Sequence, residues 1–264
     1  MNIYLRELRA HWKGLLIWSL SLVAYVNMAM VKFDATVASG GSMEELMQAM
    51  PQALRNMMGI GVFDMSTPIG FYSLAFVYLL LLGGIHGGML GATVLSSEER
   101  DKTSEFLMVR PVTRNRVILG KLLAALTHIV LFDLVVFLSS LSTLNRYGTG
   151  DYTKDVGLLL LGFFVCEVVF LVVGFFFSSV LPSPRLAPSL TMVVLVSSFL
   201  LTILAAMFEE LKGLLYLSPF GWMDPKYLLG LVDMPVLMWI LPILLVLVLL
   251  PLGVYRYNRR DLSI

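Results

Sequence analysis

Charge is scarce in this chain of 264 residues: Asp, Glu, Lys and Arg together make up 14%, against 58% hydrophobic residues. A chain so poor in charge, with a strongly positive mean hydropathy, cannot cover the surface of an ordinary soluble domain. Cysteine is nearly absent, and with Cys166 as the single one no internal disulfide forms and redox chemistry is not indicated. No G-x-x-x-x-G-K-[ST] occurs, because Gly120-Lys121 lacks both the upstream glycine and the hydroxyl that a P-loop requires. H-E-x-x-H and G-x-S-x-G are also missing, and the three histidines, His11, His86 and His128, are scattered along the chain. This argues against a metal cluster and against an intramembrane enzyme, so no catalytic residue is expected. No long internal repeat is visible, unlike secondary transporters built on inverted repeats. The formal net charge of +1 gives no reason to expect a nucleic-acid partner.

What the chain does have is apolar sequence in long runs. Six stretches, 15–33, 68–95, 117–142, 156–181, 188–208 and 236–255, are each long enough to cross the roughly 30 Å hydrocarbon core as a helix of about 20 residues. They are too long and too uniformly apolar for barrel strands. The pieces between them are short, the longest being 34–67, so no soluble domain of ordinary size fits and any energy-consuming domain must lie on another chain. The expected fold is an all-α integral membrane protein with six transmembrane helices in a single domain, 1–264. Thirteen of the 19 Lys and Arg residues fall on one side of this layout, which favours both termini on the cytoplasmic side. The competing reading, a cleaved signal peptide at 15–33, conflicts with the length of that run and with the lack of a clean small-residue site after it.

Four features stand out along the chain. Residues 1–14 place Ile3, Tyr4, Leu8 and Trp12 at helical spacing with Arg6, Arg9 and Lys13 opposite, which suits an interfacial helix at the inner membrane surface or the positive flank of the first crossing. In the loop after the first crossing, Met43, Leu46, Met47, Met50, Leu54, Met57 and Met58 recur at three- and four-residue steps, interrupted by Pro51. Such a face packs on the outer ends of neighbouring helices or caps a path for an apolar substrate. The second run carries Gly83, Gly87 and Gly91 on one face, with Gly84 and Gly88 beside them, the small-residue spacing that lets membrane helices approach closely. The third and fourth runs contain Lys121, His128, Asp133 and Glu167. Lys121 is near the inner end and can snorkel. Asp133 and Glu167 are deeper, and they read either as candidate pathway residues for a substrate or cation, or as structural links paired with His86 or His128.

The densest charge lies in residues 96–116. Ser96 with Glu99 fits a capping box, Glu98 and Lys102 stand four apart, Thr103 can cap a short helix running to Arg110, and Pro111 stops it before Thr113 caps the next crossing. Within this charged segment Phe106, Leu107, Met108 and Val109 form an apolar run. An apolar run in water with polar neighbours marks a docking surface for another protein.

The pattern Glu98-Glu99-x-x-x-Thr103-x-Glu105-x-Leu107-Met108-x-x-Pro111-Val112-x-Arg114, followed by Val117-x-x-x-Lys121, resembles the coupling region of ABC-2 type transporter permeases. The six-helix layout agrees, and Met50-Pro51-x-Ala53-Leu54 with Gly70-Phe71-Tyr72 is similar to small bacterial members. Lys102 departs from the family, which often has glycine there. The resemblance implies a permease that works as a homodimer or as a pair with a similar chain, in the bacterial cytoplasmic membrane. Each copy would be bound to a separate ABC ATPase that carries ATP and Mg, with no cofactor on this chain. It further implies a cytoplasmic coupling helix in which Glu98, Glu99, Thr103, Glu105, Phe106, Leu107 and Met108 meet the ATPase, while Pro111 and Arg114 fix the turn into the third helix. In the family the region corresponding to 209–235 forms an external re-entrant segment, to which Phe220 and Trp222 are suited. Export is the expected direction, since the external loops leave no obvious dock for a binding protein. The cargo would be a peptide antibiotic, a lipophilic drug or an ion. Two alternatives are a mechanical transmitter acting on an extracytoplasmic partner, and an ATP-independent carrier coupled to ions through Asp133 and Glu167.

Overall fold

Each of the six apolar runs becomes an α-helix in the computed structural model, which describes residues 3–38, 50–52, 55, 61–95, 113–181, 183 and 185–259. In chain order these are α1 (Ile3–Ala38), α2 (Pro68–Val94), α3 (Arg114–Tyr147), α4 (Thr153–Val180) and α5 (Leu186–Met207). A 3₁₀ segment (Glu209–Leu217) and two short helices, α6 (Pro219–Trp222) and α7 (Pro225–Leu228), lead to the last crossing, α8 (Val236–Arg259). All six long helices are apolar enough to cross a membrane. The segment holding Glu98, Glu99, Thr103, Glu105, Phe106, Leu107, Met108 and Pro111, and most of the methionine-rich loop, lie outside the described residues.

Helix limits differ from the hydropathy runs where polar residues continue a helix that apolarity alone cannot extend. With 36 and 34 residues, α1 and α3 are about 54 and 51 Å long, well beyond the roughly 30 Å of hydrocarbon. Residues 3–14 are not a separate interfacial helix. They are the first turns of α1, continuous with the first crossing, because nothing between Trp12 and Leu15 breaks helical hydrogen bonding and Gly14 alone costs too little to do so. Thr67 starts α2 by accepting from Gly70 N at 3.2 Å, with Pro68 at the first helical position, where its missing N–H is not needed. Thr113 occupies the cap position of α3, but its side chain makes no cap bond.

The helix α4 is the most enclosed of the six, and α2 lies against it more extensively than against any other element. The glycines show why. A Cβ on Gly87 would strike the Glu167 carbonyl, and one on Gly91 the Leu171 carbonyl, while Gly174 on α4 sits against the Gly88 carbonyl in return. Gly84 and Gly88 turn toward Phe170, Leu195 and Thr191, so the second glycine row receives α4 and α5 side chains. Both rows are therefore occupied within the chain. The helix α1 packs mainly on α3.

After α5 the chain folds back onto the bundle. Ser218 donates to the Ser198 carbonyl at 2.8 Å and accepts from Thr202 at 2.7 Å. Phe220 is buried between the rings of Phe170 and Phe199, and Trp222 donates to the Tyr216 carbonyl at 3.0 Å. Both aromatics thus fill the interior instead of sitting at an interface. Asp224 caps α7 through Lys226 N, and Gly230, at φ +69°, makes the left-handed turn that ends it.

If backbone contact holds α2 to α4, Gly91→Ala destabilises the protein by about 2 kcal/mol through overpacking. By contrast, Gly157→Ala, where a Cβ meets nothing within 4 Å, leaves stability unchanged or slightly raised. Thermal unfolding in detergent micelles measures both, and equal effects at the two positions would refute the contact.

Candidate functional site

The segment 96–112 joins α2 to α3 in sequence, and the described residues on either side of it form one end of the bundle. Lys121, about two turns of helix beyond Arg114 at the start of α3, is only 1% exposed and donates to the Val94 carbonyl at 2.6 Å. A lysine ammonium there satisfies a terminal carbonyl of α2 and meets the negative end of its dipole. Glu7 of α1 lies 3.9 Å from the same Nζ, and Arg6 and His11 also reach its carboxylate, at 3.1 and 3.8 Å. Lys121 therefore does not snorkel to the surface. It is held where α1, α2 and α3 converge.

On the other side of this end, Arg114 donates to the carbonyls of Tyr257 and Asn258 at 3.2 and 3.3 Å, and Asn258 donates to Asn115 at 2.6 Å. The start of α3 is thus fastened to the end of α8. Below these bonds Val94, Leu95, Ile118, Leu171, Phe175 and Tyr257 form a small apolar core of their own. At this end, where the described chain begins and ends, α1, α2, α3 and α8 are joined by a lysine, an arginine and one core.

A second polar cluster lies deeper. His86 of α2 and Glu167 of α4 meet at 3.2 Å between Nδ1 and Oε1, with Glu167 0% and His86 3% exposed. The Asp133 carboxyl of α3 faces that of Glu167. Neither Asp133 oxygen, nor Glu167 Oε2, meets a hydrogen-bond donor among the described residues, and the two carboxyls are near enough for one proton to bond them. Rings close off the group: Phe132 stands 4.3 Å and Trp18 5.6 Å from His86 between centroids. Toward the end just described, a cavity of about 230 Å³ opens between α1, α2 and α3, and its lining includes His11, His86, His128, Trp18 and Thr93. The three histidines, far apart in sequence, thus share one cavity. Among the described residues no group of three or more His, Cys, Asp or Glu could hold a metal ion.

The structure therefore brings Asp133, Glu167 and His86 together and places Arg114 and the glycines in close contacts. Sequence reasoning missed Glu7, which reads as one acidic residue among the arginines of an amphipathic start. It also undervalued Lys121, although that residue closes the motif beginning at Val117. The family model described as ABC-2 family transporter protein matches residues 1–262. No curated protein matches the chain.

Lys121→Met would take the donor from the Val94 carbonyl and a nearby cation from the Glu7 carboxylate, at a cost of about 2 kcal/mol. Glu7→Gln is expected to cost less in the Lys121→Met background than in the wild type. A double-mutant cycle on thermal unfolding reads this coupling, and strictly additive effects would show that the two residues act independently.

Proposed function

This chain belongs to the ABC-2 family of transporter proteins, and from that premise we propose that it is the membrane-spanning permease of an exporter driven by a separate ATPase subunit. Membership makes the chain a multi-pass membrane component of an ABC transporter, without catalytic activity of its own and with an ATPase as partner. The observation that carries the reading is the extent of the match, which covers all six apolar helices.

In this reading two copies pair in the bacterial cytoplasmic membrane with both termini inside, and each binds one ATPase through Phe106, Leu107 and Met108. Glu98, Glu99, Thr103 and Glu105 meet the same ATPase, and Pro111 and Arg114 direct the chain into α3. ATP and Mg belong to the partner. Closure of the ATPases displaces the segment 96–112, and the bonds at its two flanks pass that displacement to the bundle. Lys121 holds α3 to the end of α2, and Arg114 holds it to the end of α8. A push on the segment therefore moves these helices together instead of fraying one of them. Because α2 is in backbone contact with α4, the displacement reaches the centre of the bundle. The exported solute is a peptide antibiotic, a lipophilic drug or an ion, leaving on the side where α6 and α7 fold over the bundle.

Co-expression with the candidate ATPase tests the docking surface. Leu107→Asp and Met108→Asp are expected to reduce the ATPase recovered on the purified permease roughly tenfold or more, as charge placed in an interface core does, while permease dimers persist. Unchanged recovery would place the docking surface elsewhere, and no recovery with the wild type would overturn the ATPase-driven reading.

A further inference from the structure

Two carboxyl groups face each other in the middle of this bundle without a cation between them. Among the described residues no ion pair links Asp133 or Glu167 to lysine or arginine, and the one charged-group contact is that of Glu167 with His86. Glu167 is wholly buried, and neither its Oε2 nor either Asp133 oxygen, all of them inaccessible, meets a donor among the described residues. Gly83 and Phe163 lie against the pair, Phe132 covers His86, and α5 contributes no charged side chain at all. Two ionised carboxyls are acceptors only, so where they face each other no bond forms between them unless a proton lies there. One proton shared between the two oxygens removes a charge and supplies the missing hydrogen bond.

The remaining titratable neighbours are arranged on one side. Cys166 adjoins Glu167 on α4 as a buried thiol. From α2 comes His86, whose Nδ1 is on Glu167 and whose ring also lines the cavity. The same cavity is lined by His11 of α1 and His128 of α3, with rings 6.1 Å apart, and Glu7 and Lys121 lie just beyond His11. At about 30 Å³ per molecule a space of this size accommodates several waters. At its rim the His11 side chain is 35% exposed and Gly14 is exposed. The polar route from the pair leads to this cavity, since Phe132, Phe163 and Phe76 pack ring against ring beside it.

We propose that Asp133 and Glu167 form a proton-binding site, loaded and unloaded through His86 from the histidine-lined cavity. In loading, a hydronium ion in the cavity gives a proton to His86 Nε2 and is left as water, while the proton on Nδ1 passes to Glu167 Oε1. The imidazole ends neutral in its other tautomer, and the pair gains one proton. Unloading reverses both transfers. The site is formed by α2, α3 and α4, and the backbone contact of α2 with α4 fixes the approach of His86 to Glu167.

Infrared spectroscopy of the purified full chain in lipid, without ATPase or solute, tests the site independently of the transporter reading. The expected result at neutral pH is a carbonyl-stretch band from a protonated carboxyl group that shifts in D2O and is lost in both Glu167→Gln and Asp133→Asn. His86→Gln keeps a donor to Glu167 but no relay, and should retain the band while slowing its hydrogen–deuterium exchange at least tenfold. Gel-filtration profiles and thermal unfolding establish that each variant is folded, and the wild-type band with its exchange stands as a test without any variant. Absence of the band in folded wild type, or its persistence in both carboxyl variants, would overturn the site. Appearance of the band only after sodium and potassium are removed would make it an alkali-cation site instead. Exchange in His86→Gln as fast as in wild type would overturn the route through His86.

Discussion

Helices in a bilayer gain nothing from burying apolar surface against one another, since lipid is equally apolar, so this bundle depends on how closely α2 and α4 can approach. Gly87 and Gly91 meet α4 carbonyls directly, and Gly174 returns the contact. Side chains of ordinary size there would separate the helices and remove the His86–Glu167 contact, which spans the same interface at 3.2 Å. Close backbone contact and the buried polar pair are thus two consequences of one stripe of missing side chains.

Charge is handled in two different ways along these helices. At the end of α2, Lys121 is buried but fully engaged, with a terminal carbonyl and the Glu7 carboxylate to offset its desolvation. In the centre, Asp133 and Glu167 have no such counter-charge among the described residues. The first arrangement fastens elements together. The second leaves electrostatic demand unmet by the protein itself, as happens where an ionisable group inside a membrane serves function and not stability. His86 and Val94 are both on α2, about 12 Å apart along its axis. One helix therefore carries both the end that adjoins residues 96–112 and a residue of the polar centre.

Much of this was legible in the residues. Six crossings follow from hydropathy and length, and the glycine spacing announces close approach before any partner is known. Asp133 and Glu167 stand out because ionisable groups are rare in apolar runs. Other features were hidden because they depend on distance between residues remote in sequence. His11, His86 and His128 read as scattered yet line one cavity, and Lys121 reads as a snorkelling lysine yet is buried. Which of the two readings of residues 1–14 holds was open for a different reason: hydropathy ends where polar residues begin, whereas backbone hydrogen bonding carries α1 on through them.

By itself the sequence determined the class of the protein, the number of its crossings and the family to which it belongs, because these rest on local properties: apolarity over a helix length, small residues at fixed spacing, and a pattern running along one chain. Tertiary structure alone decided which helix fills the glycine stripe, that Glu167 takes His86 as partner and Asp133 as neighbour, and that Lys121 closes the end of α2. Those outcomes are set by how helices rotate and cross, and in a uniformly apolar environment the orientation of each helix is fixed only when its few polar and small residues find one another.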